Sequence, residues 1–238
     1  SRGTQASCNS LPPSNELYPK NVANAYGFTA YYQHNWHGEG RTINLVEIDG
    51  INASDISFYQ QCVGYQGHIT LKDIDSAPSQ AQGESVLDIE MIEGLDRNVN
   101  IVDYETGAPS AVNVEDELQQ IVDDNTKNTA AGSVVSISLG AAENLSTLND
   151  IKGTDQLLYL LTQKEHMTVF VATGDCAAFA DGVFNSLSVN FPASDPNVVA
   201  VGGTVLQVNS NGNRASEAVW SDATNPTQCN NSWGSGGG

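Results

Sequence analysis

An α/β fold, with a mostly parallel central sheet and helices on both of its faces, is predicted by three features of the sequence. Apolar runs of strand length at 42–48, 99–104, 133–138 and 167–172 alternate with segments of helix length. The run at 167–172 is apolar on both alternating faces, as a strand inside a parallel sheet must be. The 238 residues suffice for one sizeable core.

Residues 1–20 (SRGTQASCNSLPPSNELYPK) are rich in Pro and Ser and predict an irregular surface arm, with 21–238 forming the globular part. A short helix at 21–28 and a polar turn at Gly38-Glu39-Gly40 lead to the first, central strand at 42–48, closed by Asp49-Gly50. Ser54 opens a helix to Val63, with its hydroxyl as N-cap. A second strand at 68–71 and a loop at 73–82 deliver the chain to a helix at 83–95. A strand at 99–104, a helix at 112–125, a strand at 133–138, a helix at 148–164 and a strand at 167–172 follow in turn. The last ends at Thr173-Gly174-Asp175-Cys176, and functional groups of such sheets collect at the carboxyl ends of strands. Beyond it come a turn-rich segment at 190–196, short strands at 198–201 and 204–208 around Gly202-Gly203, another beginning at Val219-Trp220, and the glycine-rich WGSGGG.

Charge narrows the function classes. Against 9 basic residues stand 28 acidic ones, a formal −19 at neutral pH. Self-repulsion of that size strains a compact state at pH 7 and fades as carboxylates protonate, so an acidic medium suits the chain. It argues against nucleic acid or an anionic membrane surface as partner. The sequence has no initiator Met, no signal-type segment and no run of about 20 apolar residues fit to span a membrane, so Ser1 reads as a processed start. Sequons at Asn52, Asn144 and Asn230 predict glycosylation on a secretory route. Cys8, Cys62, Cys176 and Cys229 lack CxxC spacing, which argues against zinc; with secretion, one or two disulfides are expected, and four cysteines permit three complete pairings.

The helix at 83–95 carries the densest chemistry. Val86, Leu87, Ile89, Met91, Ile92 and Leu95 predict that it is largely buried, while Glu84 and Asp88, four apart, share one face. In a poorly solvated cleft such a pair shares a proton and can accept another in acid. Most pairs at this spacing are solvated, and Glu90 and Glu93 are expected to be of that ordinary kind.

Read in order, GEGRTINLVEIDG (38–50), GESVLDIE (83–90), SVVSISLG (133–140), VFVATGD (169–175), NFPASDPNVVAVGGT (190–204) and EAVWSD to WGSGGG (217–238) resemble the sedolisin family, the serine-carboxyl peptidases. That resemblance implies a subtilisin-like fold in which a carboxylate pair replaces the histidine of subtilisins. By residue, Glu84 matches the general base, Asp88 the acid that orients it, Asp175 the acid of the oxyanion hole, and Glu47 a proton relay. Ser138, Leu139 and Gly140 match a substrate-binding strip, with Leu139 where relatives often carry an aromatic ring. A carboxylate base works only where it is deprotonated and Asp175 must be protonated to donate, so acid pH is implied.

The family's nucleophile lies in a downstream Gly-Thr-Ser element, which is missing from these residues, and its calcium site lies in the same missing part. The expected protein is thus the large chain of a two-chain acid endopeptidase, nicked after Gly238. A C-terminal light chain would supply the serine and the calcium ligands, with no metal ligands in this chain and one cysteine free to bridge the two. An uncovered apolar face would mark the split. Secretion or an acidic vacuolar or lysosomal compartment, and peptide or protein substrates, follow from the same resemblance. Alternatives are an inactive relative that binds peptides or inhibits a protease, a tripeptidyl peptidase of the same family, and a nucleotide-binding domain using Gly202-Gly203.

Overall fold

The computed structural model of the protein describes residues 17–107, 110–127, 134–182, 186–222, 229 and 233–237. Most of the segment read as an arm, 1–16, lies outside them. Helix α1 (Pro19–Ala25) begins at Pro19 rather than at residue 21, because proline suits the first helical position, where its missing N–H costs nothing. Gly27, with φ 78°, breaks the expected helix, and a separate turn, α2 (Thr29–Tyr32), follows. Strand β1 (Thr42–Glu47) leads into α3 (Ala53–Val63), β2 (Ile69–Asp73), α4 (Glu84–Leu95), β3 (Asn100–Glu105), α5 (Ala111–Lys127) and β4 (Val134–Ile137). After the two-residue β5 (Ala141–Ala142), α6 (Leu148–Tyr159) runs into a π-helical turn (Leu160–Lys164) and β6 (Thr168–Ala172). Then come β7 (Asn190–Phe191), β8 (Val199–Val201), the antiparallel pair β9 (Thr204–Val208) and β10 (Arg214–Val219), and β11 (Ser221–Asp222) with β12 (Trp233–Gly234).

Two local expectations are corrected. The N-cap of α3 is Asn52, whose Oδ1 accepts from Ser54 N at 3.1 Å, and asparagine serves there as well as serine. Val219 ends a strand instead of opening one, and no helix follows Gly202-Gly203, so those glycines carry no phosphate-binding helix N-terminus.

Six strands form a parallel sheet in the order β2-β3-β1-β4-β6-β8, the subtilisin-like α/β arrangement. On one face α5 and α6 press Leu118, Ile121, Leu157 and Leu158 against Val46, Tyr104, Val135, Ile137, Val169 and Val171. On the other, α3 and α4 bring Ile56 and Ile89 against Leu45, Val99 and Ile101. The connection β1-α3-β2 runs outward across β3 and β2-α4-β3 runs back, yet both helices lie on one face, so the two crossovers have opposite hands. The step β3-α5-β4 runs the same way as β2-α4-β3 with its helix on the opposite face, which marks α4's connection as the exception to the right-handed rule. That exception sets α4 beside β1 on the face bearing Leu45 and Glu47.

Helices cover both faces only over part of the sheet. On the α4 face, Phe170, Val199 and Val201 of β6 and β8 stand in register and outward, where 167–172 was expected to be buried on both sides. α4 itself is less buried than expected. Positions 84, 87, 88 and 91 share its outward face. Leu87 and Met91 on α4 and Phe170, Val199 and Val201 on the sheet are between 37% and 54% exposed, and Ser138, which bonds Asp88 of α4, lines a cavity with Phe170 and Val201.

Candidate carboxyl site

The first turn of α4 is held by a residue outside it. Gly83, at the N-cap with φ 114°, has no side chain to cap the helix. Asp49, just past β1 and 2% exposed, does so instead. Its Oδ2 accepts from Gln82 N at 2.7 Å and Gly83 N at 2.8 Å, and its Oδ1 from Ser85 N at 3.1 Å. The buried Ser85 Oγ lies 2.7 Å from Asp49 O and 3.3 Å from Glu47 Oε2 and also bonds Asp49 Oδ1. Burial pushes the Asp49 carboxyl up, but the bonds from Ser85, Gln82 and Gly83 outweigh it and hold the group below its ordinary range. A fixed negative charge at a helix N-terminus is also favourable.

Glu84, Asp88 and Glu47 meet at a cleft of about 340 Å³ lined by Glu47, Ile48, Asp49, Gln82, Glu84, Ser138 and Leu139. Glu84 is the solvent-facing member; burial first, then the charges of Asp88, Asp49 and Asp175, raise its proton affinity. Asp88 lies deeper and accepts from Ser138 Oγ at 2.5 Å. Burial raises its pKa, against the bonds from Ser138 and Glu47. Glu47, 1% exposed, is strongly raised by burial and by the charges of Asp88, Asp103 and Asp49, so it is the protonated partner that donates to Asp88. The proton that spacing alone would assign to Glu84 and Asp88 is therefore shared by Asp88 and Glu47. What results is a solvent-facing carboxylate with raised basicity, backed by a hydrogen-bonded pair of acids, and such a group accepts a proton under acidic conditions.

Asp175 follows β6 at the strand's carboxyl end, exposed, and close enough for its charge to act on Glu84. Gly174 before it has φ 83°, and a Cβ there would stand 1.6 Å from Asn190 Nδ2, so both the backbone and its neighbour require glycine. Asp175 O accepts from Gly234 N at 2.7 Å, and the Cys176–Cys229 disulfide ties the same segment down. Cys62 is also disulfide-bonded, while Cys8 lies outside the described residues. Ser138, Leu139 and Gly140 follow β4 outside the ladder. Leu139 walls the acidic cleft on one side and an apolar cavity of about 250 Å³, lined also by Val114, Gly140, Phe191 and Pro192, on the other.

Of the three sequon asparagines, Asn52 and Asn144 are exposed and Asn230 lies outside the described residues. Among the described residues no group of three or more His, Cys, Asp or Glu side chains is placed to hold a metal ion. Nor is any helix among them long and apolar enough to cross a membrane.

The sequence reading missed Asp49, taken as a strand-closing turn, and Ser85. The signal was available, since the strand-end rule that singled out Asp175 applies equally to the end of β1. Glu93 was expected to be exposed or paired; it is fully buried, held by Gln60 Nε2 at 2.7 Å, and burial raises its pKa to about 7.

No protein-family model matches the chain. Sedolisin of Pseudomonas sp. (strain 101) is 29% identical over 218 residues, 83% of this chain and 35% of that protein. Kumamolisin of Bacillus sp. (strain MN-32) is 30% identical over 215 residues, 86% of this chain and 37% of that protein. The chain thus spans about a third of the length of these relatives. Among solved structures, Pseudomonas sedolisin, a serine-carboxyl proteinase complexed with two molecules of pseudo-iodotyrostatin, superposes with a TM-score of 0.77 at 22% identity, covering 95% of this chain and 64% of that one. A lanthipeptide protease gives a TM-score of 0.56 at 18% identity over 76% of this chain and 53% of that one. At these identities both structures attest the fold.

Proposed function

The chain matches the sedolisin family over most of its length, and from that premise we propose that it carries the carboxylate side of an acid-acting serine-carboxyl endopeptidase. In this reading Glu84 takes the proton from a serine hydroxyl, Asp88 orients Glu84 and disperses its charge, and Glu47 keeps Asp88 hydrogen-bonded through its own proton. Asp175, protonated, donates to the developing oxyanion. The strip Ser138, Leu139 and Gly140 pairs with the peptide substrate as an added strand. The serine, and any calcium, belong to sequence outside these 238 residues, and the working place is a secreted or acidic compartment.

One observation carries the reading: Glu84 and Glu47 line one cleft with Ser138, which bonds Asp88 and also borders a cavity with the exposed Phe170 and Val201. Acids poised to accept protons beside exposed apolar residues are what a further segment delivering a hydroxyl requires. Hydrolysis of a denatured protein between about pH 2.5 and about pH 7 by the assembled protein, with Glu84→Gln and Asp88→Asn each about 100- to 10,000-fold slower, is the expected result. Near-normal rates in either variant remove the carboxyl pair from the mechanism. Binding of peptides without hydrolysis at any pH would favour an inert, peptide-binding relative. Denaturing mass analysis before and after reduction reads whether that serine is carried on the same polypeptide or on a separate one.

A further inference from the structure

Next to Glu47 stand Asp103, Glu105 and Glu117, acids that the chemistry above does not use. Asp103 and Glu105 on β3 stand in register with Leu45 and Glu47 on β1, and Glu117 on α5 feels the charges of both. Asp103 and Glu117 are 0% exposed, Glu47 1% and Glu105 5%. Both carboxyl oxygens of Asp103 and of Glu117, one each of Glu47 and Glu105, and Thr106 Oγ1 are buried without a hydrogen-bond partner. A buried ionised carboxylate is tolerated when paired with a cation or bonded by donors. Asp103 and Glu117 have neither.

The groups acting on the set are acidic on every side: Asp49 and Glu47 from β1 and the turn after it, Asp88 from α4, Asp73 from β2, Asp75 beyond it, and the set's own members. Lys72, the basic side chain of β2, is taken by Asp124.

We propose that Glu47, Asp103, Glu105 and Glu117 form a proton-loaded latch: fully protonated, they let the sheet close between its helices, and their ionisation as pH rises toward neutrality opens it. Burial in the first place, and neighbouring carboxylates after it, push Asp103 up to about 8, Glu105 to about 7 and Glu117 to about 9, with Glu47 raised in the same direction. Groups raised above their unfolded values stabilise fully below those values, and that stability is lost as pH climbs through the folded ones. The latch acts through folding, and Asp103 and Glu117, on which its test rests, have no part in the catalytic reading, so the two stand or fall separately.

The test is urea unfolding of the protein at about pH 4 and about pH 7, in low and high salt, for the wild type, Asp103→Asn and Glu117→Gln. Asp55→Asn, at an exposed residue, and Asp123→Asn, whose side chain is 48% exposed, serve as controls for general surface repulsion, which salt screens. The wild type should lose folded-to-unfolded ratio by about tenfold or more per pH unit toward neutrality, and salt should restore little of it. Each buried variant should regain at least about tenfold at pH 7 relative to its effect at pH 4, and the controls should follow the wild type. Buried variants that keep the wild-type slope, or controls that flatten it as much, overturn the latch. Where a buried variant fails to fold, hydrogen exchange of the β3 amides in the wild type decides the matter. Protection corrected for intrinsic rates should fall toward neutral pH, and unchanged protection refutes the proposal.

Discussion

Removing the Asp49 carboxylate should loosen the start of α4 more than any other single change outside the helix. In Asp49→Ala, Gln82 N, Gly83 N and Ser85 N lose their acceptor at once. Residues 82 and 83 are exposed, so water replaces most of what they lose, at the cost of a missing helix cap, about 1 kcal/mol. Ser85 is 0% exposed, and its stranded N–H costs about 1–3 kcal/mol. The sum is about 3 kcal/mol, roughly a hundredfold in the folded-to-unfolded ratio. Asp49→Asn, which keeps an acceptor, should cost less than half of that.

Urea unfolding at about pH 5.5 measures this directly, and its pH dependence gives a second check. The folded-state pKa of Asp49 is lowered, so its contribution is present above the ordinary value of 3.8 and disappears as pH falls through the lowered one. The gap between wild type and Asp49→Ala should therefore narrow in strong acid. A double-mutant cycle with Ser85→Ala should give a coupling of about 1 kcal/mol or more, since both changes remove the same bonds. A cost below about 1 kcal/mol for Asp49→Ala, with no narrowing in acid, would refute the clamp.

Cys229→Ser opens a bridge between residues 53 apart in sequence, so the chain-entropy model puts the loss near 4 kcal/mol. Thermal unfolding should register it, and protease should cut the 233–236 segment beside Asp175 more readily. At Gly140 an added Cβ would stand 2.8 Å from Phe191 O, so Gly140→Ala must displace one side of the substrate strip. In the assembled enzyme KM should rise severalfold while kcat changes little, as expected when substrate positioning alone is lost; a fall in kcat at constant KM would contradict that role.

The order of elements was legible because each is long enough for its apolar period to speak, as the strand at 42–48 and the helix at 148–164 do. Sheet order was not, because nothing local in TINLVE says that β3 and β4 flank it, and the reversed hand of the α4 crossover depends on which face of the sheet α4 shares with α3. The acids of α4 were legible as a pair, but their partners come from 36 to 50 residues away in sequence, Asp49 to Ser85 and Asp88 to Ser138. Spacing carries no such information. Glu117 is a different failure. Positions 117, 118, 121 and 125 form the buried stripe of α5, so an acid sits on the apolar face in plain view. The habit of reading every helical Glu as solvated hides it.

The carboxyl groups, taken together, confine the site to a window of pH with a different cause at each edge. On the acid side the limit is Asp49, which must be ionised to hold Gln82, Gly83 and Ser85, and whose lowered pKa lets it remain so below the ordinary range. On the neutral side the limit is the buried set, whose raised values mean that protons must be present for the sheet to stay closed. Glu84 lies between, raised by burial and by Asp88, so it gains basicity where Asp49 is charged and the buried acids are neutral. Shifts of opposite sign in one small region thus have one origin, the ratio of N–H donors to carboxyls. Asp49 faces several donors, while Asp103 and Glu117 face none. Exchanging that ratio, by giving Glu117 a donor or taking Ser85 from Asp49, should move one edge of the window and leave the other where it was.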